Sequence, residues 1–284
     1  MKTIKTFIIV LFVSSSLFGQ VVEVDGQLKI AIMDTVNTED LLVVKQTDGT
    51  LATRQLNSLS LPTGDTVRTL QSDLLLTSAL CNCANLPPAM IQSLVNNGYS
   101  VQDLISFEIS VVNLLAGGIN PLDLIDAGMP IDSLYGKFYE GGYIFYLDTL
   151  NEHSFDGLVV LGTTIAGPIW GCENILVGVP SSAIGAGQSN TIDIVNTCSG
   201  NAAVTCNNIT NGYNDWFLSS KDELNLMYVN LHLTGLLSFS TANPYWSSTE
   251  INSASAWIQD FSDGDQQTIN KGTTSLRVRP VRAF

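Results

Sequence analysis

The stretch Gly212–Tyr228, GYNDWFLSSKDELNLMY, crowds Asn, Asp, Trp, two Ser, Lys, Asp and Glu into a short run of chain. It reads either as an active site or as the start of a helix. Ser220 stands three residues before Glu223, just ahead of an apolar series. That is a capping box, in which the Ser oxygen accepts from one orphan amide and the Glu carboxylate reaches back to the cap. Asp222 and Glu223 also put negative charge at the positive end of the helix dipole. Leu224, Met227, Tyr228 and Leu231 fall at i, i+3, i+4 and i+7, which makes one buried face. The letters KDEL are internal and so are not a retention signal. Ser219, Ser220 and Lys221 lack the S-x-x-K spacing of a serine acylase. The polar side chains therefore read as parts of a helix start.

Around this stretch the texture is mixed. GGYIFYLD and GLVVLG look like two strands of a long-looped hairpin. Residues 163–211 are rich in Gly, Ser, Thr and Asn and lack long periodic runs. From Tyr245 strand-like alternation returns, with turn signals at Asp263-Gly264 and Lys271-Gly272. Strands at both ends of a helical, loop-rich middle describe an α+β domain over 137–284.

Upstream, the sequence from Leu94 falls into tens: LVNNGYSVQD, LISFEISVVN, LLAGGINPLD, LIDAGMPIDS, then LYGK. This is an internal repeat, assigned to 86–136. Ser100 and Asn120 are good N-caps, and Pro121 suits a first helical position. Gly98, Gly118 and Gly128 fall where a left-handed cap is wanted. Glu108 replaces that Gly in the second unit, so a different cap, or the merger of two units into one longer helix, is expected there. One short helix per unit cannot bury its Leu/Ile face alone, so neighbours must stack.

Residues 20–60 read as a β-rich segment, with LLVVKQTDGTLATRQL a hairpin turning at Asp48-Gly49. Such a small core suggests support from a larger assembly, which makes a homo-oligomer through this segment a candidate. Residues 61–85 read as a linker with a short helix. Residues 1–19 read as a secretory signal peptide: Lys2 and Lys5, a short apolar core, then small polar residues. The expected location is therefore secreted or cell-surface. No run of about 20 apolar residues marks a transmembrane segment. A formal net charge of −14, with only 13% charged residues, argues against nucleic acid, whose phosphates need a basic surface. Cys81 and Cys83 form a lone C-x-C without a second pair for zinc. Export permits a disulfide of Cys172 with Cys198 or Cys206, leaving a buried thiol.

Seven stretches then occur in order: GGYIFYLD (141–148), WGC (170–172), AIGAGQSNT (183–191), the opening stretch, YWSSTE (245–250), AWIQDFSDG (256–264) and VRPVRAF (278–284). Together they resemble the Lcl C-terminal domain family, a domain of uncharacterised function in bacterial surface proteins, over roughly Tyr135 to Phe284. The resemblance implies a C-type-lectin-like fold, related to formylglycine-generating enzymes, on a surface protein whose N-terminal half is a stalk. The family usually has Pro where this chain has Ser219, a departure expected to loosen the approach to the helix. Formylglycine-generating chemistry needs a late reactive cysteine pair, and no cysteine follows Cys206. His153 and His232 have no metal-ligand spacing, and no nucleophile elbow is present.

Binding is the expected role, with a glycan or protein at a cell surface as partner and no enzyme activity. The ligand candidates are Trp216, Tyr245, Trp246, Glu250, Trp257, Asp260, Asp263, Asp265, Arg277 and Arg279. Aromatic rings could stack on sugars, and the arginines could meet acidic groups or the domain's own Asp215, Glu250 and Asp260. No cofactor is expected. Calcium on Asp260, Asp263 and Asp265 is the metal candidate, although Asp263-Gly264 also suits a hairpin turn. The AIGAGQSNT loop could hold a small ligand on its backbone amides, or be a series of tight turns.

Overall fold

The computed structural model describes residues 86–284 in full and, before them, the backbone of four strands. Those strands are β1 (Val21–Val24), β2 (Leu28–Ala31), β3 (Leu41–Lys45) and β4 (Leu51–Gln55). β1 and β2 pair antiparallel with Val21 opposite Ala31, and β3 and β4 with Leu41 opposite Gln55. The signal-peptide reading, the 61–85 linker reading and the Cys81–Cys83 reading lie outside the described residues. The chain falls into two compact units, divided between Gly117 and Gly118.

In the first unit, α1 (Pro88–Asn96), α2 (Val101–Ser106) and α3 (Val111–Ala116) follow one another as short helices. Ser100 forms a capping box, accepting from the Asp103 amide at 3.1 Å while the Asp103 carboxylate accepts from the Ser100 amide at 2.8 Å. Ser110 caps α3 through the Asn113 amide. Ile91, Leu94, Leu104 and Leu114 are fully buried. Gly117 lets α1 approach the end of α3, since a Cβ there would lie 2.7 Å from the Ile91 Cγ2.

Glu108 corrects the expectation of a different cap or a merged helix. It takes the left-handed conformation itself, φ 58°, as Gly98 does ten residues earlier with φ 91°. Its amide donates to the Ile105 carbonyl at 2.9 Å. The repeat's turn geometry overrides local preference, at a cost of about 1 kcal/mol for a residue with a Cβ. Glu108→Gly is therefore expected to raise stability by up to about 1 kcal/mol in urea unfolding, the smaller loss of chain entropy in wild type offsetting part of the gain.

The second unit begins with α4 (Pro121–Asp126) and a 3-10 turn at Ile131–Ser133. Helix starts at Val101, Val111 and Pro121 thus keep the ten-residue spacing. Asn120 caps α4 by accepting from the Leu122 amide at 2.8 Å.

The rest of the unit is α+β. The first sheet holds β5 (Phe138–Tyr139), β6 (Gly142–Leu147), β7 (Gly157–Val160), β14 (Pro280–Ala283) and β9 (Phe217–Leu218), in that order. The second runs β12 (Gln266–Asn270), β11 (Ser255–Gln259), β10 (Tyr245–Glu250), β13 (Arg277–Val278) and β8 (Ile165–Ala166). The hairpin expected from GGYIFYLD and GLVVLG is the antiparallel pair β6–β7. VRPVRAF contributes to both sheets: Val278 lies opposite Ile165 in one, and Val281 opposite Val160 in the other. Helices α5 (Ala186–Thr197), α6 (Ala202–Asn207) and α7 (Lys221–Met227) fill the middle, and α7 continues as a π-turn over Tyr228–His232.

Two hydrophobic clusters result. One gathers Trp170, Ile194, Leu218, Trp246, Ile258 and Val278, and the other Phe145, Phe217, Leu224, Tyr245, Phe261 and Val281. Neighbours Phe217 and Leu218 separate between the clusters, as do Tyr245 and Trp246. The period of two in β9 and β10 therefore feeds both cores.

The disulfide joins Cys172 to Cys198, 26 residues apart, and Cys206 is free and buried. Burial pushes the Cys206 thiol up, out of the range of a reactive thiolate. A loop of this length gives the disulfide about 3–4 kcal/mol from chain entropy. Reduction with Cys206 untouched is expected to lower the urea midpoint accordingly.

Candidate functional site

The opening stretch is a capping box with a second duty. Ser220 Oγ accepts from the Glu223 amide at 3.3 Å, and the Ser220 amide donates to Glu223 Oε2 at 2.7 Å. The other carboxylate oxygen accepts from the Gly185 amide at 2.8 Å and the Gly187 amide at 3.3 Å. Those amides belong to the N-terminus of α5, so one carboxylate satisfies the starts of two helices. Ser220 Oγ also donates to the Ala183 carbonyl at 2.9 Å, and Ser182 Oγ to Asp222 at 2.9 Å. Glu223 is fully buried. Burial pushes its carboxyl up to about 7, against the lowering effect of the Ser220, Gly185 and Gly187 amides. The AIGAGQSNT loop as a ligand cradle is corrected here: the amides of Gly185 and Gly187 are occupied by Glu223. Gly187 has no room for a side chain, since a Cβ would fall 2.8 Å from the Phe217 ring and 3.0 Å from the Leu218 carbonyl.

The approach through Ser219 is not loose. Ser219 is fully buried and its carbonyl accepts from the Ser248 amide at 2.7 Å.

Glu250, a ligand candidate, is also internal. It is 2% exposed and faces Lys271, which is 0% exposed, with Nζ 2.5 Å from Oε2. Its carboxylate accepts from the amides of Val177, Gly178 and Val179. Lys271 also donates to the Ile175 carbonyl at 3.0 Å and lies 4.3 Å from the Trp170 ring centre. Burial raises the Glu250 carboxyl, but Lys271 and the three amides outweigh it and hold the group below its usual range.

Three of the four aromatic ligand candidates are core residues. Trp216, Tyr245 and Trp246 are at most 1% exposed. Trp216 donates its indole N–H to Asn211 at 2.7 Å, and Trp246 to the Pro168 carbonyl at 3.1 Å. The Tyr245 hydroxyl accepts from the Ser240 amide at 2.8 Å and meets Thr164 Oγ1 at 3.1 Å. Their area serves packing, so they cannot meet a ligand. Trp257 is the exception: it is half-buried in β11 with the Lys221 Nζ 4.7 Å from its ring centre.

Asp260, Asp263 and Asp265 form the β11–β12 turn. Asp260 accepts from the Ser262 amide and hydroxyl, each at 2.8 Å, and Asp263 from the Asp265 amide at 2.9 Å. Among the described residues no three His, Cys, Asp or Glu side chains are grouped to hold a metal ion. The calcium set does not converge, and the Asp260 and Asp263 carboxylates turn back onto their own loop.

The arginines divide. Arg279 is 2% exposed and donates to the carbonyls of Gly162 and Ser238 and to Thr164 Oγ1. Among the described residues it takes no acid as partner. Arg277 is half-buried in β13. Arg282 makes the acid contacts, to Asp215 at 2.6 Å and Glu140 at 3.0 Å.

The site that sequence reasoning missed is an open cleft of about 410 Å³ between Ser154, Phe155, Asp156, Gln188, Ala283 and Phe284. Its Phe155 and Phe284 sides are tied into the fold. Asp148 is buried, accepts from the His153 amide at 2.7 Å and lies 3.2 Å from the His153 ring nitrogen. Burial raises the Asp148 carboxyl, but the His153 and Glu152 amides and the His153 ring bring it below its usual range. The imidazole stacks on Phe155 at 4.9 Å between centres. On the other side, Asp156 Oδ2 accepts from Asn120 Nδ2 at 2.6 Å, and the Asp156 amide donates to the Phe284 carbonyl at 2.7 Å. Tyr139 packs edge-on against Phe284 at 5.0 Å. Burial, then Glu140 and Asp156, push the Tyr139 hydroxyl up to about 12. The one sequence signal was Asp148, an acid closing a strand of apolar residues.

No family model matches the chain, and no curated protein matches it. No helix among the described residues is long and apolar enough to cross a membrane.

Proposed function

We propose that this is an exported, surface-displayed binding protein whose C-terminal unit is a C-type-lectin-like recognition module of the Lcl C-terminal kind. In this reading the unit recognises a glycan or a protein at a cell surface, and the N-terminal half presents it. One observation carries the reading: the polar stretch is spent on backbone amides, while a separate, braced cleft lined by aromatic and polar side chains stays open. Concave sites of mixed aromatic and polar lining are where ligands bind. The full chain, applied to a glycan array with and without calcium, is expected to bind. Absence of binding in both conditions contradicts the glycan form of the reading and leaves a protein as the ligand.

A second reading is a non-catalytic structural cap that contacts other proteins. It is favoured by Ile175, Leu176 and Ile251, which are 46%, 67% and 51% exposed. Light scattering separates the two: concentration-dependent association supports the structural cap, and a strict monomer removes its self-associating form.

A further inference from the structure

We infer that the cleft between Phe155 and Phe284 is a binding site for a neutral sugar ring. This rests on the reading of the unit as a recognition module. Among the described residues no Lys or Arg lines the cleft, so its described lining offers no cation to the sulfate or carboxylate of an acidic glycan. Asp156, the carboxylate in the described lining, repels such groups. What the cleft offers is two aromatic side chains, a carboxylate, a primary amide and a hydroxyl. A pyranose has an apolar C–H face for a ring to meet and a rim of hydroxyls that donate and accept.

The polar groups suit those hydroxyls. Asp156 has one oxygen fixed by Asn120, and its Oδ1 has no partner among the described residues, so it can take a sugar hydroxyl. Gln188 is exposed on the first turn of α5, and Ser154 is exposed beside Phe155. The volume of about 410 Å³ lies in the range of small-molecule sites.

Preorganisation points the same way. Phe155 is held by the His153 ring, and His153 by Asp148. Phe284 is held by Tyr139 and by the amide of Asp156. A ring already fixed in place loses little freedom on binding, which favours weak, exposed ligands such as sugars. The Asp148–His153–Phe155 series thus acts as a positioning set for the platform.

The test uses the full chain and a panel of methyl pyranosides of glucose, galactose, mannose and N-acetylglucosamine, together with heparin fragments. Titration is followed by calorimetry for wild type, Asp156→Asn, Gln188→Ala and Phe155→Ala. Wild type is expected to bind at least one neutral pyranoside. Asp156→Asn and Phe155→Ala should each weaken it about tenfold, equivalent to about 1.4 kcal/mol. Gln188→Ala, at an exposed position, keeps the test valid if Phe155→Ala fails to fold, and should weaken binding several-fold. Neutral-sugar binding that none of the variants alters overturns the site but leaves the proposed function standing. Binding of heparin alone overturns the sugar class and also leaves that function standing. Binding of no sugar at all overturns this inference and the glycan reading with it.

Discussion

Glu223→Ala is expected to lose about 3–5 kcal/mol of unfolding free energy at pH 5.5, enough to remove much of the stability of an ordinary domain. The substitution strands three amides at once, those of Ser220, Gly185 and Gly187. Each buried N–H without an acceptor costs about 1–3 kcal/mol, and neighbours do not add fully. Glu223→Gln should lose less, because its carbonyl oxygen can still serve the two glycine amides while its NH₂ opposes the Ser220 amide. The pH dependence has a definite sign. A carboxyl raised to about 7 in the folded chain binds its proton more tightly there than when unfolded. Its contribution is complete below the unfolded value near 4.5 and is lost as pH rises through about 7. The shift corresponds to about 3 kcal/mol. Gln cannot ionise, so the gap between wild type and Glu223→Gln should narrow as pH rises from 5.5 to 8. Urea melts across that range provide the check, and a widening gap contradicts it.

Lys271→Met is the second large effect, with about 3–5 kcal/mol lost at pH 7. It leaves the Glu250 carboxylate buried with amides around it but no cation. Combining Lys271→Met with Glu250→Gln should recover most of the loss, because the charge goes and a carbonyl oxygen remains for the 177–179 amides. Equal losses in single and double variants would show that packing of the lysine stem, not charge, holds the loop. Glu250 also titrates in the opposite sense to Glu223. Its folded carboxyl lies below the usual value, so its contribution is present above that value and lost as pH falls through the lower, folded one. Two buried glutamates on backbone amides therefore differ in pH response because only one has a lysine.

How much of this is legible in the sequence depends on the range of each interaction. The ten-residue spacing, the caps at Ser100, Asn120 and Ser220, and the apolar face of α7 are local patterns, and the structure has them. Leu224, Met227 and Leu231 are buried as their period requires, with Tyr228 half-buried at the point where the helix widens into a π-turn. Glu108 escaped because the choice between Gly and a strained residue belongs to the repeat, not to the residue. The second duty of Glu223 was hidden for a different reason. Gly185 and Gly187 lie 38 and 36 residues away, and an isolated Gly-rich loop looks the same whether its amides face a ligand or a carboxylate. Lys271 follows a polar strand and precedes a glycine, a context that suggests an exposed turn, and only tertiary packing buries it. The cleft needed Phe155, Gln188 and Phe284 to meet from three distant parts of the chain, and no spacing rule joins them. Among cysteines, the sequence left two partners open for Cys172, and the choice of Cys198 was set by the fold.

The central claim is that one buried carboxylate ties the starts of α5 and α7 together, leaving recognition to surfaces elsewhere. Amide hydrogen exchange on Gly185, Gly187 and Ser220 tests it most directly, in wild type and in Glu223→Ala. All three amides should be protected in wild type and should lose protection together in the variant, while amides of β6 and β7 keep theirs. Rapid exchange at Gly185 and Gly187 in the native protein, or protection there unchanged in Glu223→Ala, contradicts the claim.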